Sequence, residues 1–359
     1  MLDRPTLEPE PEAMRMHQMG LYFGTKPPGG DFDQTTIQNK LNDFGVPKLV
    51  LEVASADDED EFLRAIRLAV SLLNGGNTLV QQSFLSEFEG RQSEAFFQKM
   101  TQRLRKWHGE IDVGVLNYRN FERKKSELIF KNLRGVDISP EVNRSVTWVF
   151  RFLQLLCENH NLQSQHSLRK HGLVQLTLEF VDAVFGSVTS NSELSSILAS
   201  KAKSELANQT LISLTEYCQG PCSENQLAIA IHESHGLDVC VSILLQEQTN
   251  KSEVALTLKN NATKFLLATL ESHYHTEVIQ RILYNIDQPQ QLIRVLKSVY
   301  AIHSTENPKV TEAAIADAEE VGHNIYILVQ TLAAHSPAIA KVLKDEKNPS
   351  LEFYGGGTA

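Results

Sequence analysis

The sequence predicts an all-α protein, either a stacked helical solenoid or an irregular helical array. Three observations predict it. Apolar residues recur at intervals of three and four through most of the 359 residues, the mark of helices with one buried face. No stretch alternates convincingly with period two, as a half-buried strand does. The connections between periodic segments are short. Many segments are apolar over more than a third of their surface, which fits helices sandwiched between two neighbours. No strict self-match appears at the fixed periods of known helical repeats, so any repeat is structural rather than sequential.

The elements are read in chain order. Residues 1–34 are rich in Pro, Gly and acid, with Pro27-Pro28-Gly29-Gly30 near their end, and are expected to be a mobile N-terminal segment. Residues 35–108 form a first helical region. Ile37, Leu41 and Phe44 define an apolar face that Gly45 stops. The acidic run Asp57-Asp58-Glu59-Asp60-Glu61 precedes the stripe Phe62, Ile66, Ala69, Val70 and Leu73, and acids in a first turn complement the helix dipole. That run lacks the alternating ligands and central Gly of an EF-hand loop. Asn74-Gly75-Gly76 ends the helix. A third helix carries Leu79, Val80, Phe84, Leu85 and Phe88. A fourth starts at Ser93 and carries Phe96, Phe97, Met100, Leu104 and Trp107.

Residues 109–138 read as a charged linker or a connecting helix. Their basic residues Arg119, Arg123, Lys124, Lys125 and Lys131 alternate with acids and read as a solvated face. Residues 139–303 form the main helical domain, opened by Ser139-Pro140-Glu141, a cap residue followed by Pro at the first helical position. Val142, Val146, Val149, Phe150, Leu153, Leu156 and Cys157 give that first helix a wide apolar face. Further periodic segments follow over 173–185, 199–218, 226–232, 237–246, 254–270, 278–284, 291–300, 313–335 and 337–344. Residues 304–319 read as a linker, and 320–354 as C-terminal helices.

Hydrophobic residues are 42% and charged residues 22%, which excludes wholesale disorder. Lys plus Arg is 34 and Asp plus Glu is 44, a net charge of −10, which disfavours a nucleic-acid or anionic-membrane surface. No apolar run reaches the roughly 20 residues that cross a bilayer, so no membrane-spanning segment is expected. Glu8, Glu10 and Glu12 exclude a signal peptide. The four cysteines, Cys157, Cys218, Cys222 and Cys240, read as reduced thiols. Gly220-Pro221 separates Cys218 from Cys222, and no Cys or His of zinc spacing lies beside either.

Enzyme templates are absent: there is no GxGxxG, P-loop, GxSxG or HExxH. His232 and His235 share an i, i+3 spacing, but Gly236 interrupts the helix there, and they read as solvent-facing. Two segments differ in kind. Arg151-Phe152-Leu153-Gln154-Leu155-Leu156-Cys157-Glu158-Asn159-His160-Asn161 and Leu214-Thr215-Glu216-Tyr217-Cys218-Gln219-Gly220-Pro221-Cys222 each put a carboxylate at the C-terminal end of an apolar helix. That end carries a partial negative charge, so an acid there is electrostatically misplaced. A hard cation such as Ca²⁺ would remove the cost. Two solvated acids are the alternative. Glu216 and Gln219 can face the same way; Glu158 and His160 converge only where the helix ends.

Several motifs carry a resemblance. They include Ile37-Gln38-Asn39-Lys40-Leu41, Leu73-Asn74-Gly75-Gly76-Asn77-Thr78 and the two glutamate segments. Later come Leu258-Lys259-Asn260-Asn261-Ala262, Arg281-Ile282-Leu283-Tyr284-Asn285, Val321-Gly322-His323-Asn324-Ile325-Tyr326 and Leu351-Glu352-Phe353-Tyr354. In this order they resemble the inositol trisphosphate receptor family of intracellular calcium-release channels, with ryanodine receptors more distant. The resemblance implies an armadillo-like stacked helical array on the cytosolic side of the endoplasmic reticulum membrane, just before the channel of a tetrameric parent. It implies that the chain is a fragment, cytoplasmic when alone, lacking the ligand-binding core and the C-terminal channel and juxtamembrane segment. It assigns Glu158 and Glu216 as ligands of an activating calcium site, with His160 and Gln219 in supporting positions, and a further ligand in the missing segment. Residues 109–137 and 304–319 depart from the pattern, and His235 stands where Asn is usual. The expectation is a non-enzymatic calcium-sensing module that couples ligand binding to a gate. The rival is an armadillo-like interaction scaffold that ignores calcium.

Overall fold

The computed structural model describes residues 33–90, 93–124, 139–185, 198, 200–247, 253–271, 276–304, 311–345 and 348–356. The expected mobile segment over 1–34 lies almost wholly outside the described residues. Among those described, every regular element is a helix, and contacts divide the chain into two compact units, Met1–Phe96 and Phe97–Ala359.

The first unit holds α1 (Gln34–Asp43), α2 (Val46–Ala54), α3 (Glu59–Leu73), α4 (Thr78–Phe88) and the first turn of α5 (Ser93–Lys124). Asp58 caps α3 by accepting the Glu61 N–H, and Glu59, Asp60 and Glu61 occupy the first turn, so the acidic run works as a helix start. The whole stripe from Phe62 to Leu73 is buried. The expected face of α1 is corrected. Ile37 and Phe44 are 45% and 82% exposed, and the buried residue is Gln38. Its amide donates to Ser71 O at 2.8 Å and Asn74 O at 2.9 Å, which satisfies carbonyls at the end of α3. A hydrogen-bonding need, invisible to apolar periodicity, sets the orientation of α1.

In the second unit α5 continues through residue 124, so 109–124 is helical. Phe97, Met100, Leu104, Trp107 and Ile111 are buried. Then come α6 (Pro140–Cys157), α7 (Leu162–Lys170), α8 (Leu173–Phe185), α9 (Lys201–Cys218), α10 (Ser223–Ile231), α11 (Gly236–Leu245), α12 (Glu253–Leu270), α13 (Thr276–Tyr284), α14 (Gln290–His303), α15 (Glu312–Ala333), α16 (Pro337–Asp345) and α17 (Pro349–Gly356). The tract expected as a linker over 304–319 therefore contains the start of α15. The Ser139 side chain makes no capping bond, although Pro140 does open α6.

A structural repeat runs through this unit. Helix α6 packs on α9, α9 on α12, and α12 on α15, so every third helix joins one row. The intervening pairs α7–α8, α10–α11 and α13–α14 complete three-helix units. The row members begin at Pro140, Lys201, Glu253 and Glu312, and this uneven spacing leaves no fixed period in the sequence. Each row helix but the last is followed at once by an acid or carries one in its last turn: Glu158, Glu216 and Glu271.

The packing is anchored by buried polar groups as well as apolar ones. Lys259 on α12 is 2% exposed, and its ammonium donates to Ile243 O, Leu244 O and Gln246 O at 2.7, 2.8 and 2.6 Å. It thereby caps the C-terminal end of α11. Burial alone pulls its pKa down to about 7; three carbonyl acceptors at a helix C-terminus oppose that pull, and we read the group as an ammonium. Arg281 on α13 likewise binds Ala230 O, His232 O and Ser234 O together with both Asp238 oxygens. It clamps the turn between α10 and α11. No single helix among the described residues is long and apolar enough to cross a membrane. The pair α10–α11 passes only together, bent by 89°; Ile229 and Ala230 of α10 and most of α11 are buried inside this unit, while Ile231 is exposed.

Candidate functional site

Helix α6 ends because Glu158 leaves helical geometry as its C-cap and Asn159 and His160 take φ of 62° and 55°. Left-handed backbone at two successive residues is costly outside glycine, and it turns the chain sharply below Glu158. Helix α9 ends at Cys218, with Gln219 as C-cap and Gly220 at φ 119°. The two ends meet. A Cβ at Gly220 would lie 2.8 Å from the His160 Cβ, so glycine is required both for its backbone angle and for this approach.

Three buried amides hold the end of α9. Gln165 on α7 donates to Glu216 O at 2.7 Å and Gln219 O at 2.8 Å. Asn225 donates to Tyr217 O at 2.8 Å and Gln165 O at 3.1 Å. Gln226 donates to Cys218 O at 3.1 Å and Ala268 O at 2.8 Å. All three side chains are fully buried. The carbonyls that a helix leaves open at its C-terminus are thus satisfied by side chains from α7 and α10, and the backbone carrying Glu216 is fixed.

On this frame the structure brings Glu158 and Glu216 together. Both are partly buried. The Glu158 carboxylate accepts the Gln154 amide at 3.2 Å and lies 3.7 Å from the Arg151 guanidinium. Burial raises its pKa, against the pull of Arg151 and Gln154. Burial also raises that of Glu216, and the charge on Glu158 raises it further, while His160 and Arg151 pull it down. Two acids therefore share a half-desolvated setting in which the Arg151 guanidinium acts on both, and that guanidinium is itself pushed down by burial. His160 is exposed and acts electrostatically on Glu216. Gln219 stands in the same turn, its N–H bonded to Thr215 O and its carbonyl to the Gln165 amide. Glu271, at the end of α12, accepts the Gly220 N–H at 3.1 Å.

Arg151, Gln154 and the amides of Gln165, Asn225 and Gln226 were not singled out by sequence reasoning. Arg151 precedes Glu158 by seven residues, two helical turns, and that spacing is a usable signal. The amides sit in segments with little apolar periodicity and left none. His232 and His235 do not form a pair: His232 lies 3.4 Å from Glu179 and His235 3.2 Å from Asp238. The thiol of Cys222, expected to lack partners, has His166 and Glu224 beside it; their ligating atoms and its sulfur all lie within 4.8 Å of one another.

Comparison with known proteins follows the same segments. Residues 141–244, which span α6 to α11, match the family described as RyR and IP3R Homology associated. The inositol 1,4,5-trisphosphate receptor itr-1 of Caenorhabditis elegans is 27% identical over 453 aligned positions, covering 89% of this chain and 16% of that protein. The chain thus spans about a sixth of the length of that relative.

Proposed function

Because this chain belongs to the inositol trisphosphate receptor family, which is not a family of enzymes, we propose that it acts as a cytosolic regulatory segment of a calcium-release channel. In this reading Glu158 and Glu216 form half of an activating calcium-sensor site, and the helical array couples ligand binding to the gate. The parent would be a tetramer in the endoplasmic reticulum membrane, with this segment on the cytosolic side.

The observation that carries the reading is the pair of partly buried carboxylates at the adjoining ends of α6 and α9, both with raised pKa. A scaffold has no use for that arrangement, because each acid lowers stability where it stands. The donor chemistry fits a hard divalent cation, which takes six to eight oxygens at about 2.3–2.6 Å. Bound there, calcium would cancel the repulsion and draw a second oxygen-bearing body against these helix ends. Glu158 and Glu216 supply the charge. The amides of Gln165, Asn225 and Gln226 keep the backbone of Glu216 from yielding, and Arg151 is the internal counter-ion that has to give way. A site that closes only when two bodies approach binds one arrangement more tightly, and that difference in affinity shifts a gating equilibrium.

Two carboxylates alone make a sparse site. Calorimetric titration of the chain with calcium is expected to give a dissociation constant on the order of 10⁻⁴ to 10⁻³ M, weakened further in Glu216→Gln. In the full receptor the same change shifts calcium activation to higher concentration. No binding at millimolar calcium, or an activation curve unmoved by Glu216→Gln, would leave the scaffold reading in place.

A further inference from the structure

A second cluster of donors lies behind the α9 end and is made from residues that the calcium reading does not use. His166 sits on α7, Cys222 at the N-cap of α10 and Glu224 in the first turn of α10. The His166 Nε2 and the Glu224 Oε2 are 3.1 Å apart. The Cys222 sulfur, a histidine nitrogen and a Glu224 oxygen all fall within 4.8 Å of one another. We propose that His166, Cys222 and Glu224 form a zinc site, with water in the fourth position.

The donor set argues for the metal. Thiolate, imidazole and carboxylate are the three ligand types that zinc takes, and a sulfur donor disfavours calcium and magnesium, which take oxygen. Bond lengths of about 2.0–2.3 Å at tetrahedral angles place zinc ligands roughly 3.3–3.6 Å apart. The nitrogen and oxygen, 3.1 Å apart, need to open by only a few tenths of an ångström, and the sulfur needs to approach by at most about 1.3 Å, within the reach of a side-chain rotation.

The surroundings agree. Cys222 is fully buried, whereas the His166 and Glu224 side chains are 39% and 52% exposed. The sulfur therefore reaches the site from the core side, and the two other donors face solvent, from which the ion and a water ligand arrive. Burial pushes the Cys222 thiol up, and the Asn225 N–H in the first turn of α10 pulls it back only in part, so the metal itself has to displace the thiol proton. Arg169, one turn beyond His166, acts on both Cys222 and Glu224; the two anionic donors outweigh its single charge. Coordination replaces the S–H bond with a metal–sulfur bond and releases that proton to solvent.

Such a site would clip α7 to the turn that follows α9. His166 is next in sequence to Gln165, whose amide holds the Glu216 and Gln219 carbonyls. An occupied clip braces the same backbone, without using either carboxylate of the proposed calcium site.

The test uses the full chain, with zinc in competition against a chromophoric chelator and cobalt(II) as a spectroscopic probe. One zinc per chain is expected, together with a near-ultraviolet thiolate-to-cobalt charge-transfer band and a zinc-dependent rise in melting temperature. Cys222→Ser and His166→Ala should each weaken zinc by at least about tenfold and remove the melting shift, and Cys222→Ser should abolish the band. His166→Ala changes a partly exposed side chain and carries the test if Cys222→Ser does not fold. Glu216→Gln should keep zinc, which separates failure of this site from failure of the calcium reading. Absence of zinc from the wild-type chain, or equal binding in wild type and the two ligand variants, overturns the proposal and leaves His166–Glu224 as a plain ion pair.

Discussion

Glu158 and Glu216 both stand against ordinary carboxylate preferences. Each is partly buried and each lies at a helix C-terminus, and Glu216 also feels the charge on Glu158. Both carboxyls are raised above the usual value, so the folded chain holds their protons more tightly than the unfolded chain does. Their contribution to stability is therefore favourable below the ordinary carboxylate range and is lost as pH rises through their raised values. Calcium at the proposed site would have to compete with those protons. Affinity measured by calorimetry at stepped pH should fall on acidification while ordinary surface carboxylates are still ionised; an affinity constant down to pH about 4.5 would contradict this. The misplaced acids were legible in the sequence, because an acid at the end of an apolar helix is a visible anomaly. The role of Gly220 was not. Its sequence context shows a helix break, but the close approach that also requires glycine comes from His160, 60 positions away in the chain.

At the scale of elements, the helices that periodicity identified are those with apolar buried faces, such as α3, α6 and α8. Helix α7 was missed because its sequence, Leu162-Gln163-Ser164-Gln165-His166-Ser167-Leu168-Arg169-Lys170, buries Ser164 and Gln165 beside a single leucine. Its buried face is polar, and what it contributes is hydrogen bonds to the end of α9 rather than apolar area. Gln38 does the same for α3. Helix α2 was missed for a different reason: its apolar residues are nearly contiguous, Val46, Leu49, Val50, Leu51 and Val53, and a run that short has no clear period. The amide braces carry a prediction. Gln165→Leu keeps the volume but leaves the Glu216 and Gln219 carbonyls without their donor. It should cost about 2–4 kcal/mol in urea unfolding and also weaken calcium binding, although Gln165 does not contribute an oxygen to the site. Unchanged stability together with unchanged calcium affinity would show that the end of α9 needs no brace.

At the scale of the molecule, the all-α character was legible because apolar spacing of three and four, sustained over many turns, matches the helical period and not the strand period. The three-helix repeat was not, since its row members α6, α9, α12 and α15 start at unequal intervals and share packing rather than residues. The repeat has a consequence for function: it sets equivalent helix ends side by side, and acids placed at two such ends become neighbours. The central claim is that this neighbourhood is a cation seat that is strained when no cation is bound. The most direct test is the melting temperature of wild type and Glu216→Gln, each with and without 10 mM calcium. The account predicts that Glu216→Gln melts higher than wild type in the absence of calcium, because one of two repelling charges is gone. It predicts that calcium stabilises wild type by about 1–3 kcal/mol, as follows from the expected affinity, and the variant much less. A variant that melts below wild type without calcium, or that gains as much from calcium as wild type does, would contradict it.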